Sequence, residues 1–523
     1  MTFRNVNTYQ NMVRDGQEKL YHIRYESEIK IMETELASGV KTYPLIIDGQ
    51  RIQPRSFFDD LSPIDDSIVI GRFPRAKAED IDAAVDAAKR AFHSWRDTGL
   101  GKRLDIFTKA ADLMDEERFQ LAAALTYDNG KDRHEAIAEI DEGIDFVRFY
   151  AMTMKERNGF AEDTLRAYDD EKSVSVMRPY GVWAVICPFN FPFAISCGMM
   201  TGAMITGNTV VVKPSSSAPL LPFLLYDIFE KAGMPAGVMN VVTGGGSEVG
   251  DRLVSHHDVS GTVFTGSKDV GFEIIASSLV KHPRPVIAEM GGKNAAIVTA
   301  TADLDKAVKG IAQSAFSYSG QKCSACSRAL VHENVHDRFV EMLSAKVSSL
   351  KFGDPRKAES FSGPVIHRKA MGDYERYVEM ARKDGHIVTG GKVIEVPGLN
   401  GSYAAPTIVT GLPDDHPLAT TELFLPILCV FRFRTIEEAV RKANSVEFGL
   451  TSGIYSSERS DVDHYLDNIE AGVCYVNRSR GATTGAMVGS QPFCGWKSSG
   501  STGKGTGTAH YLTQFMRQQA RTF

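Results

Sequence analysis

The rhythm of apolar and polar positions changes near residue 180. Before it, the pattern is mostly helical. Residues 1–40 are polar and partly helical, an arm more than a domain. Tyr43–Gln50 reads as a short strand with a hairpin turn at Asp48-Gly49. Residues 78–155 carry three helical patterns; Ala83, Ala84, Ala87, Ala88 and Ala91 recur at the spacing of one helix face. Val174–Arg178 alternates like an exposed strand. After residue 180, short apolar runs alternate with amphipathic stretches. Val182–Ile186, Thr209–Val212, Val238–Val242, Gly261–Phe264 and Pro285–Ala288 are predicted strands. Phe193–Thr206, Leu220–Ala232, Ser247–Val254 and Lys268–Ser278 are predicted helices, the second stopped by Gly233. This alternation predicts an α/β fold with a doubly wound parallel sheet and right-handed crossovers. Residues 291–475 repeat it more loosely, as a second α/β unit. Residues 478–508 are Gly-, Ser- and Thr-rich loop, anchored by Gln491-Pro-Phe and Trp496.

From Pro179 to Val212 no side chain is charged, a length that could span a bilayer. Pro188, Asn190, Pro192, Gly198, Gly202, Gly207 and Asn208 break it into pieces too short to span, so a buried strand–helix–strand is the expectation. Charges interrupt residues 1–36, which excludes a secretory signal there. The 523 residues suggest about three domains or lobes. A net charge of −6 argues against a nucleic-acid binder. Seven cysteines are too sparse for a disulfide scaffold, so free thiols in a reducing, cytoplasmic setting are expected.

Candidate chemistry begins at Gly320-Gln-Lys-Cys323-Ser-Ala-Cys326, because a thiolate is a strong nucleophile. A zinc half-site, a thioredoxin-like pair and a buried structural thiol compete with that reading. Glu289 ends an apolar strand before Gly-Gly, which makes it a candidate base or a solvated strand end. Asn190, between prolines and aromatics, is an oxyanion donor or a turn residue. Gly244–Gly250 and Gly266-Ser267 look like anion cradles at helix starts, or ordinary turns. Lys213 ends the second strand, where ribose contacts are made in such sheets. The fingerprint GxGxxG does not follow the first strand, so an ordinary Rossmann dehydrogenase is not supported. His256-His257 and Asp414-Asp415-His416 are expected to be solvated loop, and no metal is assigned.

Taken in order, Phe-Asn190-Phe-Pro, Val-Val-Lys213-Pro, Phe-Thr-Gly266-Ser-x-x-Val-Gly, Glu289-Met-Gly-Gly-Lys, Gly-Gln-x-Cys323 and Glu422-Leu-Phe424-Leu-Pro resemble the aldehyde dehydrogenase superfamily over roughly residues 45–500. The resemblance implies an NAD(P)-dependent oxidation of an aldehyde to a carboxylate, with NAD expected and NADP open because Ser216 stands where many relatives carry Glu. It makes Cys323 the nucleophile, Asn190 the oxyanion donor and Glu289 the base that activates water. It assigns Pro188, Lys213, Ser216, Gly266, Ser267, Glu422 and Phe424 to the cofactor. It also implies a homodimer or higher homo-oligomer, with a small-molecule aldehyde as substrate and neither nucleic acid nor membrane as partner. The implied domains are an arm at 1–40, a cofactor domain at 41–165 and 181–290, a catalytic domain at 291–485, and a small β oligomerisation flap from 166–180 and 486–523.

Gln321–Arg328, Glu142–Tyr150 and Thr484–Phe493 further resemble the 1-pyrroline-5-carboxylate dehydrogenases of proline catabolism. Ser324, Gly485, Ala486 and Phe493 then bind the substrate, L-glutamate γ-semialdehyde; a hydroxyl and two N–H groups suit its distal carboxylate. Three departures leave another semialdehyde or acidic aldehyde open. About three extra residues lie between Arg478 and Thr484, Cys494 interrupts a Gly-Gly pair, and Ser498–Gly505 follows the branch loosely. A non-catalytic relative is disfavoured because Cys323, Glu289 and Asn190 are all present. A relative that acylates coenzyme A is disfavoured by Glu289.

Overall fold

The computed structural model describes residues 3–279 and 282–523. The alternating runs after residue 180 build a seven-stranded sheet in the order Val286–Glu289, Val259–Thr265, Val182–Ile186, Thr209–Lys213, Met239–Val241, Leu45–Ile47, Gln50–Ile52. The first five strands are parallel and the hairpin adds antiparallel at the edge. Asp48 (φ 55°) and Gly49 (φ 73°) take the left-handed backbone that a tight hairpin turn requires. The central strands are apolar throughout because both faces are covered. Trp183, Val185, Val210 and Val212 pack into one core layer, and Val182, Ala184 and Val211 into the opposite one. The uncharged stretch is thus two buried strands flanking the helix Ala194–Ile205. No helix among the described residues is long and apolar enough to cross a membrane.

Two expectations need correction. Residues 78–155 fold as four helices, Ala78–Asp97, Leu100–Glu116, Arg118–Asn129 and Arg133–Glu156. Only the kinked Glu117 separates the second from the third, so no Gly or Pro marks the break. The predicted helix Ser247–Val254 starts as a wide turn over Gly246–Gly250 and becomes α-helical only at Asp251–Ser255, because its glycines resist regular winding. The N-terminal arm is docked, with helices Thr8–Arg14 and Glu18–Ala37; Tyr21, Tyr25 and Ile29, one turn apart, are buried in the main core.

A second seven-stranded sheet runs His386–Thr389, Thr407–Thr410, Ile427–Phe433, Cys326–His332, Asn294–Val298, Thr451–Tyr455, Val473–Val476. It is parallel except for its first strand. A small antiparallel sheet joins Met516–Thr522, Ser173–Pro179 and Ala161–Asp163. Glu289 is the last residue of the first large sheet and Asn294 the first of the second.

Candidate active site

The first sheet reverses its winding between the neighbouring strands Val182–Ile186 and Val259–Thr265. Ligands bind beyond the carboxyl ends of strands at such a reversal. Pro188 and Asn190 follow one of these strands; Gly266 and Ser267 follow the other. Lys213 ends the adjacent strand Thr209–Lys213 and Ser216 follows it, and Glu422 and Phe424 precede the strand Ile427–Phe433 of the second sheet. Lys213 closes its strand almost fully buried, and burial lowers its ammonium pKa. Its Nζ donates to Pro214 O at 3.3 Å. Ser216 Oγ donates to Gly244 O at 3.2 Å. Ser267 precedes helix Lys268–Ser277 without capping it, so its hydroxyl and the first helical N–H groups remain for an anion. A Cβ at Gly266 would stand 2.5 Å from the Phe264 ring, so only glycine lets the chain pass there.

Glu422 reaches in from the second lobe. Its Oε1 accepts from Gly292 N at 2.9 Å, and a Cβ on Gly291 would overlap its Oε2 at 2.1 Å. Burial raises its pKa to about 7 against the pull of the Gly292 N–H and Lys293. Phe424 has φ 58° and meets Phe189 edge-on at 5.7 Å. A deep lysine, an uncapped helix start, and a carboxylate beside an aromatic ring fit a dinucleotide.

Cys323 follows a strained approach. Tyr318, Ser319 and Gly320 have φ of 49°, 52° and 70°, and a Cβ on Gly320 would stand 2.4 Å from Leu425 O. The turn is held by Asn294, whose Nδ2 donates to Cys323 O at 2.8 Å and to Ala325 O at 2.9 Å while its Oδ1 accepts from Thr451 N at 3.0 Å. Burial, then Glu422 and Glu289, push the Cys323 thiol up to about 12. Burial also pushes Glu289 up to about 8, against one hydrogen bond from Gly495 N at 3.2 Å. The resting pair is therefore protonated near pH 7. Asn190 Nδ2 donates to Gln321 O at 3.1 Å, two residues before the thiol, which uses one of the two amide protons. All seven cysteines are free thiols, and Cys326 Sγ turns away to Arg328 O.

The structure brings Cys323, Glu289, Ser324, Gly485, Ala486 and Phe493 together around a cavity of about 430 Å³. Asn190 and the cofactor candidates Pro188, Lys213, Ser216, Gly266, Ser267, Glu422 and Phe424 are not among the residues that line it. Several contributors carry no recognisable motif. Lys131 and Glu139 form a fully buried ion pair. Lys131 Nζ donates to Asn190 O at 2.7 Å and lies 3.5 Å from the Phe191 ring centre. Glu139 Oε1 accepts from Phe193 N and Ala194 N, serving as the missing cap of helix Ala194–Ile205. Lys322 pairs with Glu135 at 2.6 Å. Arg478, itself on the cavity wall, donates to Thr484 O at 3.1 Å and Gly485 O at 2.6 Å, which ties down both carbonyls. Glu142 lines the cavity, and burial raises its pKa to about 8. Its run resembles the branch, but nothing local marks its role.

His256 is buried, correcting the expectation of a solvated pair; His257 is exposed. Their ring nitrogens and Asp258 lie within 4.8 Å of one another. Lys89 already holds Asp258 at 2.9 Å.

A model of the aldehyde dehydrogenase family matches residues 50–520. The chain belongs to the aldehyde dehydrogenase family. It is 36% identical over 504 residues to 1-pyrroline-5-carboxylate dehydrogenase of Geobacillus sp. (strain WCH70), covering 95% of each chain. It is similar to the solved 1-pyrroline-5-carboxylate dehydrogenase from Thermus with bound NAD, at TM-score 0.93 and 34% identity, covering 100% of this chain and 99% of that one. Proline utilization A from Bdellovibrio bacteriovorus also superposes, at TM-score 0.93 and 35% identity. This aldehyde dehydrogenase covers 53% of that longer protein.

Proposed function

We propose that this aldehyde dehydrogenase oxidises L-glutamate γ-semialdehyde to L-glutamate with NAD. The observation that supports this reading is one cavity lined by the Cys323 thiol and the Glu289 carboxyl and also by Glu142, Ser324, Gly485, Ala486 and Phe493. Glu135, Glu139, Asp141 and Asp145 line it, but each holds a donor of the protein itself. Glu142 is left to face an ammonium group. Ser324 with the N–H groups of Gly485 and Ala486 forms the nest for the α-carboxylate. Phe493 covers the aliphatic segment between.

The buried thiol is protonated at rest, so it gives its proton to solvent as Cys323 Sγ bonds to the aldehyde carbon and the C=O π pair moves onto oxygen. Asn190 Nδ2 and the Cys323 N–H hold the developing alkoxide. NAD supplies the hydride acceptor that no side chain offers. The carbon is then a thioester on Cys323. Glu289, as a carboxylate, takes a proton from water as the water oxygen bonds to the thioester carbon; the C–S bond then breaks, the acid is released, and the proton passes from Glu289 to the Cys323 sulfur. Lys213, Ser216, Gly266, Ser267, Pro188, Glu422 and Phe424 hold the cofactor in this reading. Ser216 neither grips ribose hydroxyls strongly nor repels a 2′-phosphate, so NADP is the second cofactor to test.

In the same reading residues 41–165 and 181–290 are the cofactor domain and 291–485 the catalytic domain. Residues 166–180 and 486–523 pair two copies: Met516–Thr522 is an edge strand with exposed residues from Arg517 to Gln519, open to a second strand. Seven free thiols suit a cytoplasmic enzyme. Rates with glutamate semialdehyde, succinate semialdehyde and neutral aliphatic aldehydes, each with NAD and NADP, test the proposal. Glutamate semialdehyde with NAD is expected to give the highest kcat/KM. A clear win for neutral aldehydes would refute the nest at Ser324, Gly485 and Ala486.

A further inference from the structure

The carboxylate nest sits on an irregular loop, and the N-terminal arm reaches it from the far end of the chain. Asn5 Nδ2 donates both to Val488 O at 2.9 Å and to Asp145 Oδ2 at 3.0 Å. Asn5 Oδ1 accepts from Ser490 Oγ at 3.3 Å. One amide therefore bridges the loop bearing Gly485 and Ala486 to helix Arg133–Glu156. Asp145 lies three residues after Glu142 on that helix, so the two share a face. The bridge thus joins the loop that bears the carboxylate nest to the helix that bears Glu142, the partner of the ammonium on the same substrate carbon.

The neighbouring arm residues fix the bridge. Val6 N donates to both Asp145 oxygens at 3.0 Å. Thr8 donates from N at 2.7 Å and from Oγ1 at 2.8 Å to Asp141, a second buried carboxyl on the same helix. Phe3 meets Phe149 edge-on at 5.2 Å, and Gly489 packs so closely on that ring that a Cβ would stand 2.8 Å from it. Arg480, in the lengthened segment before Thr484, donates to Gln10 Oε1 at 3.0 Å. Asn5, Val6, Tyr9 and Gln10 also line the cavity itself.

We infer that residues 5–10 form the distal wall of the substrate pocket. Asn5 is the positioning residue that fixes the carboxylate nest relative to Glu142 and Cys323, and so sets the length of acidic aldehyde accepted. This rests on the reading of Gly485 and Ala486 as the anchor. Three features point the same way. Residues 5–8 of the arm bind through the buried carboxyls of Asp141 and Asp145. The arm contacts the anchor loop at Val488 and Ser490, three and five residues after Gly485. The extra residues of that loop carry an arginine that docks back onto the arm.

The test compares wild type with Asn5→Ala. Steady-state KM and kcat are measured for glutamate semialdehyde, succinate semialdehyde and a neutral aldehyde of equal length, together with hydrogen exchange of the backbone amides. Loss of a hydrogen bond to a charged partner is expected to raise KM for glutamate semialdehyde by about tenfold. kcat should stay within about twofold, as should KM for the neutral aldehyde, and the preference between the two semialdehydes should narrow. Amides of residues 484–491 should exchange faster in Asn5→Ala, while those of the strands Val182–Ile186 and Val259–Thr265 stay unchanged. Unchanged exchange at 484–491 overturns the inference. So does an equal rise in KM for charged and neutral aldehydes, which marks general loosening. A wild-type enzyme with no preference for carboxylate-bearing aldehydes refutes the underlying substrate reading instead, and shows it before any variant is made. Arg480→Ala, which removes the second tie to the arm, is expected to reproduce the KM split more weakly; no effect on KM there, with exchange also unchanged, counts against a wall formed by residues 5–10.

Discussion

Two adjacent glycines separate cofactor binding from fold stability. The atoms nearest a Cβ on Gly291 would all belong to Glu422, at 2.1 Å from Oε2, 2.4 Å from Cδ and 2.5 Å from Oε1. These atoms are the far end of a flexible side chain, which can swing aside. A Cβ on Gly292 would meet Cys323 O at 2.5 Å and the Asn294 amide at 2.8 and 2.9 Å. That carbonyl belongs to the backbone of the nucleophile turn and cannot move alone. Gly291→Ala should therefore leave the midpoint of thermal unfolding within about 2 °C, since nothing in the core has to shift. It should also unseat Glu422 from Gly292 N and from the cofactor. One lost hydrogen bond to a carboxylate is worth about 1.5–3 kcal/mol, or about 10- to 150-fold in the Kd for NAD. The loss should be smaller below pH 7, where Glu422 is protonated and has less to lose. Gly292→Ala should instead lower the unfolding midpoint by several degrees and cripple acylation of Cys323, because overpacking against fixed backbone costs about 1–3 kcal/mol. Calorimetric titration of NAD into each variant, with thermal unfolding on the same samples, is the assay. An unchanged Kd in Gly291→Ala, or a collapse in its stability equal to that of Gly292→Ala, would refute the placement of Glu422 against the glycine pair.

The remaining predictions concern proton transfer and the support of Asn190. Glu289, with its pKa raised to about 8, gains the carboxylate form as pH rises, so turnover limited by thioester hydrolysis should climb through pH 8 and level off above it. Glu289→Gln should give one burst of reduced cofactor per site without that climb; normal turnover in stopped-flow traces would remove Glu289 as the base. Lys131→Met strands the buried Glu139 carboxylate, at a cost of about 3–5 kcal/mol. In urea titrations the double variant Lys131→Met, Glu139→Gln should recover much of it, since the glutamine oxygen still caps helix Ala194–Ile205. A single variant as stable as wild type would show that the pair is not what holds the Asn190 loop.

The parts legible in the sequence are those in which chemistry or periodicity is local. Cys323, Glu289, Asn190 and Lys213 each stand in a short run whose order along the chain is itself informative. The strands Val182–Ile186 and Thr209–Lys213 are legible because full burial leaves them without polar positions. Helix boundaries failed where no breaker exists: at Glu117 the apolar period runs straight through the kink. The Lys131–Glu139 pair looks like two ordinary surface charges, because only the tertiary fold buries them beneath Phe191. Asn5 could not be found by any local pattern, since its partners lie 140 and 483 residues away. Asn294 had a weak signal, as a polar residue opening an otherwise apolar strand.

The six residues from Glu289 to Asn294 carry a mechanical consequence. When two plates turn about a shared pin, the points nearest the pin travel least. The link joins the end of one sheet to the start of the other, with the base at one side and the amide that clamps the Cys323 turn at the other. Any turn of one sheet against the other would therefore displace the carboxyl and the clamped turn less than it displaces residues far from the link, such as those at the outer edge strands.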